Sequence, residues 1–290
     1  EYFFTLDTRG NLIHEGAILD DAVFLDLFFR RLKDNDSGCH EDYRFYSPCG
    51  PEWNFVACAD TPIVFHSFDG DSLIYAHSLR TPFNPAMLRF GENGVVYHAA
   101  PVGTWGRLHH NVALELARSI TTWGPWYVYT HPMSGKTTVI QPLIVPTGLE
   151  LMPPRNDNAC VGCGENNPHG LGLSFLFDRQ TSTAHTWLQP DLRYMGSLGI
   201  MHGGFVALLL DETMGKVLRG LEVKAPTAQL NVRYRKPVPL HEWLHVCATV
   251  VRHEGRKFFM RAEITRTQEP ESILAECESL FLRLPHNGSA

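Results

Sequence analysis

The sequence predicts an α+β protein in two parts: an N-terminal α+β domain over residues 1–145, a linker over 146–157, and, over 158–290, an antiparallel sheet wrapped round one long central helix. Three observations predict it. The stretch PLIVPTGLELMPPRNDN, residues 142–158, holds four prolines and a polar tail, which marks a boundary. The first half mixes short strand-like runs with two stretches of helical spacing. The second half carries one long apolar, helix-like run among about six strand-like ones.

In the first half, EYFFTLDTRGNLIHEG alternates apolar and polar residues about Thr8-Arg9-Gly10-Asn11, the signature of a β-hairpin. In DDAVFLDLFFRRLKDN, Val23 and Leu27, then Phe24 and Phe28, recur at i and i+4. Acidic residues open this stretch and Arg30, Arg31 and Lys33 close it, as a helix dipole favours. Strand-like runs follow at YRFYS, NFVAC, PIVFHSF, LIYAH and GVVYHAA, and a second helix is expected at HHNVALELARSI. In the second half, LGLSFLF and STAHTWLQ precede a helix from His202 to about Arg219. TAQLNVRYR, WLHVCATVVRH, KFFMRAEITR and SILAECESLFLRL come after it, and the short link Glu254-Gly255-Arg256 makes their pairing antiparallel.

Hydrophobic residues at 44% and charged residues at 19% permit a real core. No run approaches the roughly 18 apolar residues of a membrane span. The net charge of −6 disfavours nucleic acid as a partner. The acidic excess sits in residues 1–145, with 10 Lys and Arg against 16 Asp and Glu, while residues 146–290 hold 15 of each, so a basic patch for a phosphorylated ligand belongs to the second half. Seven cysteines, an odd number, suit reduced thiols in a cytoplasmic setting better than a disulfide framework. The chain starts at Glu1 rather than Met, which leaves a removed presequence open.

The chemistry concentrates in GIMHGGFVALLLDETMG, residues 199–215. A buried helix avoids unpaired carboxylates because desolvating a charge is costly, yet Asp211 and Glu212 stand in the middle of this one. Adjacent helix residues point about 100° apart, so only one of the two faces a common site. At its other end, His202-Gly203-Gly204 opens the helix, where the first N–H groups lack intrahelical partners and lie at the positive end of the dipole.

Three motifs in order, CVGCGENNPHGLGL (160–173), GSLGIMHGGFVALLLDETMG (196–215) and TAQLNVRYRKPVPL (227–240), make residues from about 158 to 285 resemble the hotdog-fold acyl-CoA thioesterases, in the branch that includes the phenylacetate-pathway thioesterases and their mammalian relatives. The resemblance implies a homodimer, or a dimer of such dimers, with joined sheets. It implies an acyl-CoA substrate, and no cofactor beyond the coenzyme A carried by that substrate. It makes Asp211 the catalytic carboxylate. In the first half, EYFFTLDTRGNLI and FYSPCGPEWNFVACADTPIVF resemble a family of uncharacterised proteins, which brings no activity with it.

Thioester hydrolysis needs an attacking oxygen and donors for the developing oxyanion. Gly203 and Gly204 are assigned to the oxyanion site, with the Gly203 N–H as the favoured donor, and His202 orients the loop. Asp211 lies nine residues beyond His202, about 13 Å along a helix. Its side chain cannot cover that distance, so it serves the helix tip of a second subunit. There it acts as general base on water or attacks the carbonyl directly. Thr227 both donates and accepts, which suits it to hold the nucleophile against Asp211. Many relatives carry Asn six residues before the His; this chain has Gly196, which shifts more of the water positioning to Asp211 and Thr227.

Alternation along LNVRYRK puts Leu230, Val232 and Tyr234 on a face toward the helix. Arg233, Arg235 and Lys236 are then available to coenzyme A phosphates. The resemblance makes the stretch around Asn167, Pro168 and Gly170 a loop beside the substrate entrance, with these residues shaping its turn. Cys160-x-x-Cys163 with His169 invites a zinc reading, but a structural zinc usually takes four ligands and no second pair follows in this half, so no metal is assigned. The alternative from another class is a non-catalytic acyl-CoA or lipid-binding module whose N-terminal domain carries the partner or chemical role. A dehydratase would need a His paired with Asp or Glu, and none accompanies Asp211.

Overall fold

The structure, a computed structural model, describes residues 1–285. The chain divides into two compact units, Glu1–Thr122 with Trp126–Val145, and Trp123–Pro125 with Pro146–Ala290. Residues 286–290 of the domain expected over 158–290 lie outside the described residues.

The first unit is α+β. The hairpin forms as its pattern demands, with Tyr2–Leu6 antiparallel to Leu12–His14 and Leu6 opposite Leu12. The Asp7 carboxylate accepts the Arg9 and Asn11 N–H groups, and Gly10 turns the chain at φ 90. Tyr2–Leu6 also runs parallel to Glu52–Cys58 in a six-stranded sheet. Helix α1, Ala22–Arg31, is capped by Asp21, which accepts the Phe24 N–H at 2.7 Å, and it buries Phe28 and Phe29. Helix α2, His110–Ala117, buries Val112 and Leu116. Nine further strands, including Val64–Phe68, Ser72–Tyr75 and Val96–Ala99, form a second sheet.

The second unit is a seven-stranded antiparallel sheet around one helix, the hotdog arrangement. Its strand order is Leu149–Met152, Phe175–Asp178, Thr183–Leu188, Leu244–Glu254, Lys257–Arg266, Glu269–Leu282, Thr227–Tyr234. Helix α3, Gly203–Gly220, presents Val206, Leu209, Leu210, Met214 and Val217 to a core shared with Phe175, Leu244, Val246 and Ile264. Each such side chain, fully buried, contributes roughly 1.5–3 kcal/mol. Gly220 ends the helix against the Phe177 ring, where a Cβ would come within 2.5 Å. No helix of the described residues is long and apolar enough to cross a membrane.

Two expectations change. The linker 146–157 contains a strand, Leu149–Met152, paired with Phe175–Asp178. Its prolines flank the short apolar run Leu-Glu-Leu-Met rather than interrupt it, so they delimit an edge strand instead of excluding one. The strand Thr227–Tyr234 does not press its whole apolar face on α3. Val232 packs against the core, but Leu230 is 36% exposed and Tyr234 56%. This strand is the sheet's terminal one, hydrogen-bonded on one side only to Glu269–Leu282.

Candidate active site

The tip of α3 is built by its cap. His202 takes the extended conformation of an N-cap, φ −61 and ψ 134, and its Nδ1 accepts the Gly204 N–H at 2.9 Å. A backbone N–H only donates, so Nδ1 is the acceptor and a neutral ring carries its proton on Nε2. The Gly204 N–H is thereby committed to the cap. The Gly203 N–H has no protein acceptor among the described residues. The Gly203 carbonyl accepts from the Tyr234 hydroxyl at 2.9 Å, so both faces of this first helical residue are oriented.

Gly196 closes the loop against this cap. A Cβ there would lie 2.9 Å from the His202 Cα, and the Gly196 N–H donates to the Ile200 carbonyl at 2.9 Å. A cleft of about 550 Å³ opens here, lined by Gly196, His202, Gly203, Tyr234, Arg235 and Lys236 among others. Five residues named from the sequence thus meet in one cleft; Tyr234 is the sixth, which alternation alone marked only as apolar.

The cleft is cationic. Arg235 Nε donates to Glu276 Oε1 at 3.0 Å, and Arg233 Nη1 lies 3.9 Å from the same oxygen. Arg235 chiefly, with Arg261 and Arg233, holds the Glu276 carboxyl below the usual range. Lys236 Nζ donates to the Ser272 hydroxyl at 2.8 Å. Asn167 stands apart from the cleft lining. Its amide donates to the Ala159 carbonyl at 3.2 Å and its oxygen accepts the His169 N–H at 3.0 Å, so the side chain braces its own loop.

Asp211 sits two turns further along α3. The Thr227 hydroxyl donates to Asp211 Oδ1 at 2.7 Å. Burial raises the Asp211 carboxyl above its ordinary value, the Thr227 bond offsets part of that, and neighbouring Glu212 adds to it. The eight residues from Gly203 to Asp211 span about 12 Å of continuous helix. One subunit therefore cannot bring this carboxylate to its own Gly203 N–H.

Glu212 turns elsewhere. Its Oε1 lies 2.7 Å from Lys216 Nζ, and its Oε2 accepts from Cys160 Sγ at 3.8 Å. Lys216 Nζ also donates to Cys163 Sγ at 2.9 Å. Burial pushes Glu212 up, but the Lys216 ammonium and the hydrogen bonds to it hold it below the ordinary value. Cys160, Cys163 and Glu212 offer ligand atoms within 4.8 Å of one another. The Lys216 ammonium already stands at that cluster and supplies the positive charge, so the donor set does not fit a divalent cation as arranged.

Residues 198–273 match the family model of the thioesterase superfamily, and residues 1–125 match that of a domain of unknown function, DUF4505. Acyl-coenzyme A thioesterase THEM4 of Mus musculus is 32% identical over 117 residues, 40% of this chain and 50% of that protein. The chain therefore spans about half the length of the curated relatives it matches. Among solved structures, the thioesterase superfamily protein RHA08564 is 27% identical with a TM-score of 0.39, covering 41% of this chain and 57% of that one. The E. coli PaaI protein of the phenylacetic acid degradation operon is 16% identical with a TM-score of 0.37, covering 40% and 81%.

Proposed function

We propose that this thioesterase-superfamily domain hydrolyses an acyl-CoA thioester to the free acid and coenzyme A at a site shared by two subunits. The observation that carries the reading is the contact between Thr227 and Asp211, which fixes a half-buried carboxylate at mid-helix while a donor N–H without a protein acceptor waits at the helix tip. Two antiparallel copies of α3, related by a two-fold axis, bring Asp211 of one subunit to Gly203 of its partner and create two equivalent sites. The terminal strand supports this assembly: Thr227, Ala228, Gln229, Leu230 and Asn231 are all exposed, and its outer edge has no neighbour in the sheet.

In such a site Asp211 acts as general base on water or attacks the thioester carbonyl itself. The Gly203 N–H of the partner subunit receives the oxyanion at the positive end of its helix. When Asp211 acts as base, collapse of the tetrahedral species expels the coenzyme A thiolate, which takes up the proton that Asp211 removed from water. When Asp211 attacks directly, collapse leaves an acyl anhydride on Asp211, and water opens it to the free acid, restores the carboxylate and supplies the thiolate's proton. Arg235 and Lys236, on the wall of the same cleft, suit the phosphates of the substrate. The test is a panel of acyl-CoA substrates with free-thiol detection, run beside a sizing measurement. Thiol release from at least one substrate by a dimer or larger assembly is expected. Calorimetric binding of acyl-CoA without thiol release would instead make the domain a binding module.

A further inference from the structure

The CVGCG stretch belongs to no step of the proposed hydrolysis, yet it is folded with tight constraints. Cys160 to Cys163 form one turn, closed by the Gly164 N–H donating to the Cys160 carbonyl at 2.9 Å. A Cβ at Gly164 would lie 2.3 Å from the Cys160 backbone nitrogen, and one at Gly162 2.9 Å from the Glu212 carboxyl. Both glycines are therefore demanded by the turn and by its seat on α3. The two sulfurs lie within 4.8 Å of each other, one beside Glu212 and the other beside Lys216. Cys163 is buried at 3% exposure, whereas Cys160 is partly accessible.

We propose that Cys160 and Cys163 are a redox modification site, closing to a reversible intrachain disulfide when the protein meets a peroxide. Cys160, the accessible thiol, attacks the peroxide, takes one oxygen to become a sulfenic acid and releases water. The Cys163 sulfur then displaces the hydroxyl, forming the S–S bond and a second water. The two sulfurs each lose one electron, the peroxide gains both, and the two thiol protons leave in the waters. The Lys216 ammonium at 2.9 Å from the Cys163 sulfur favours the thiolate that makes the second attack, against the burial that pushes this thiol up to about 12. The bond needs the sulfurs at about 2.05 Å, so closure draws the turn inward. It also ends the thiol hydrogen bonds to Glu212 and Lys216, the pair adjoining Asp211. Among the described residues, Cys160, Cys163 and Glu212 are the one group of three such side chains with their ligand atoms this close together.

The test needs no turnover, so its failure is separate from failure of the hydrolase reading. The full chain is titrated with hydrogen peroxide, denatured, alkylated, digested and mapped by mass. The expected result is a 160–163 link, about 2 Da below the dithiol and open to alkylation again after dithiothreitol. C163S is expected to hold a dimedone-reactive sulfenic acid at Cys160, and C160S to show neither link nor sulfenic acid. Full alkylation of both thiols after peroxide, a link from either to a different cysteine, or stoichiometric zinc in the purified protein would overturn the proposal.

Discussion

Thr227 Oγ1 lies 2.7 Å from Asp211 Oδ1, joining the first residue of the sheet's terminal strand to the middle of α3. That single bond orients the carboxylate, lowers the cost of its ionisation in a half-buried place, and leaves its second oxygen for a substrate or a water.

Asp211→Asn keeps shape and removes the ionisable group. A fall in turnover of roughly 10²–10⁴ is expected. Stability moves the other way. A carboxyl raised above its unfolded value contributes stability that is complete below that value and lost as pH rises through the folded one. The variant has no such contribution to lose, so its melting temperature is expected to rise relative to wild type as pH increases through the folded value. A variant that unfolds, or that turns over as wild type, contradicts the assignment.

Thr227→Ala deletes the bond that pulls the Asp211 carboxyl down, leaving burial to push it further up. The acid limb of kcat/KM against pH is expected to move to higher pH, with a smaller loss at the plateau than in Asp211→Asn. An unmoved limb would mean that Asp211 does not set it.

Gly203→Pro removes one N–H with little other change. Position 203 is the first helical residue, where proline's missing donor and fixed φ are tolerated, and His202 before it is already extended. The fold is expected to survive while kcat drops by about 10²–10³, as loss of an oxyanion donor does. Circular dichroism with steady-state kinetics checks both halves. Gly196→Asn, by contrast, forces a Cβ to within 2.9 Å of the His202 backbone, so a Tm lower by several degrees is expected from about 1–3 kcal/mol of overpacking.

Glu212→Gln tests the buried pair. Its carboxyl lies below the ordinary value, so it contributes stability above the unfolded pKa that disappears as pH falls through the folded one. Breaking the pair leaves Lys216, 6% exposed, without its counter-charge, an expected cost of about 3 kcal/mol at neutral pH. The gap between wild type and variant in urea unfolding is expected to narrow below about pH 4.5. A constant gap would contradict the linkage.

Periodicity made the hairpin, the three helices and the second-unit strands legible, with Leu209, Leu210 and Met214 buried on α3. On α1 the row Phe24 and Phe28 packs inward, whereas the row Val23 and Leu27 is exposed at 79% and 39%, so equal spacing did not say which row faces the core. The same rule failed for Leu149–Met152, where flanking prolines masked a short strand, and for Leu230 and Tyr234, where alternation assigns a face but says nothing of what covers it. Asp211 and Thr227 were legible together, as was the helix tip. That the Gly204 N–H belongs to His202 was not, since a cap hydrogen bond depends on a ring orientation. Nor was the Glu212–Lys216–Cys163 chain, because a loop more than fifty residues away supplies its sulfur. For residues 1–125, sequence and fold agree on architecture, and their family model carries no activity.

Mixing two inactive chains tests the shared site most directly. Asp211→Asn and Gly203→Pro proteins are refolded together in equal amounts, and thiol release is compared with either alone. If carboxylate and donor come from opposite subunits, half the dimers are mixed and each holds one intact site, so about one quarter of wild-type activity returns. No recovery beyond the separate variants, with subunit exchange verified, would place both groups in one chain and contradict the shared site.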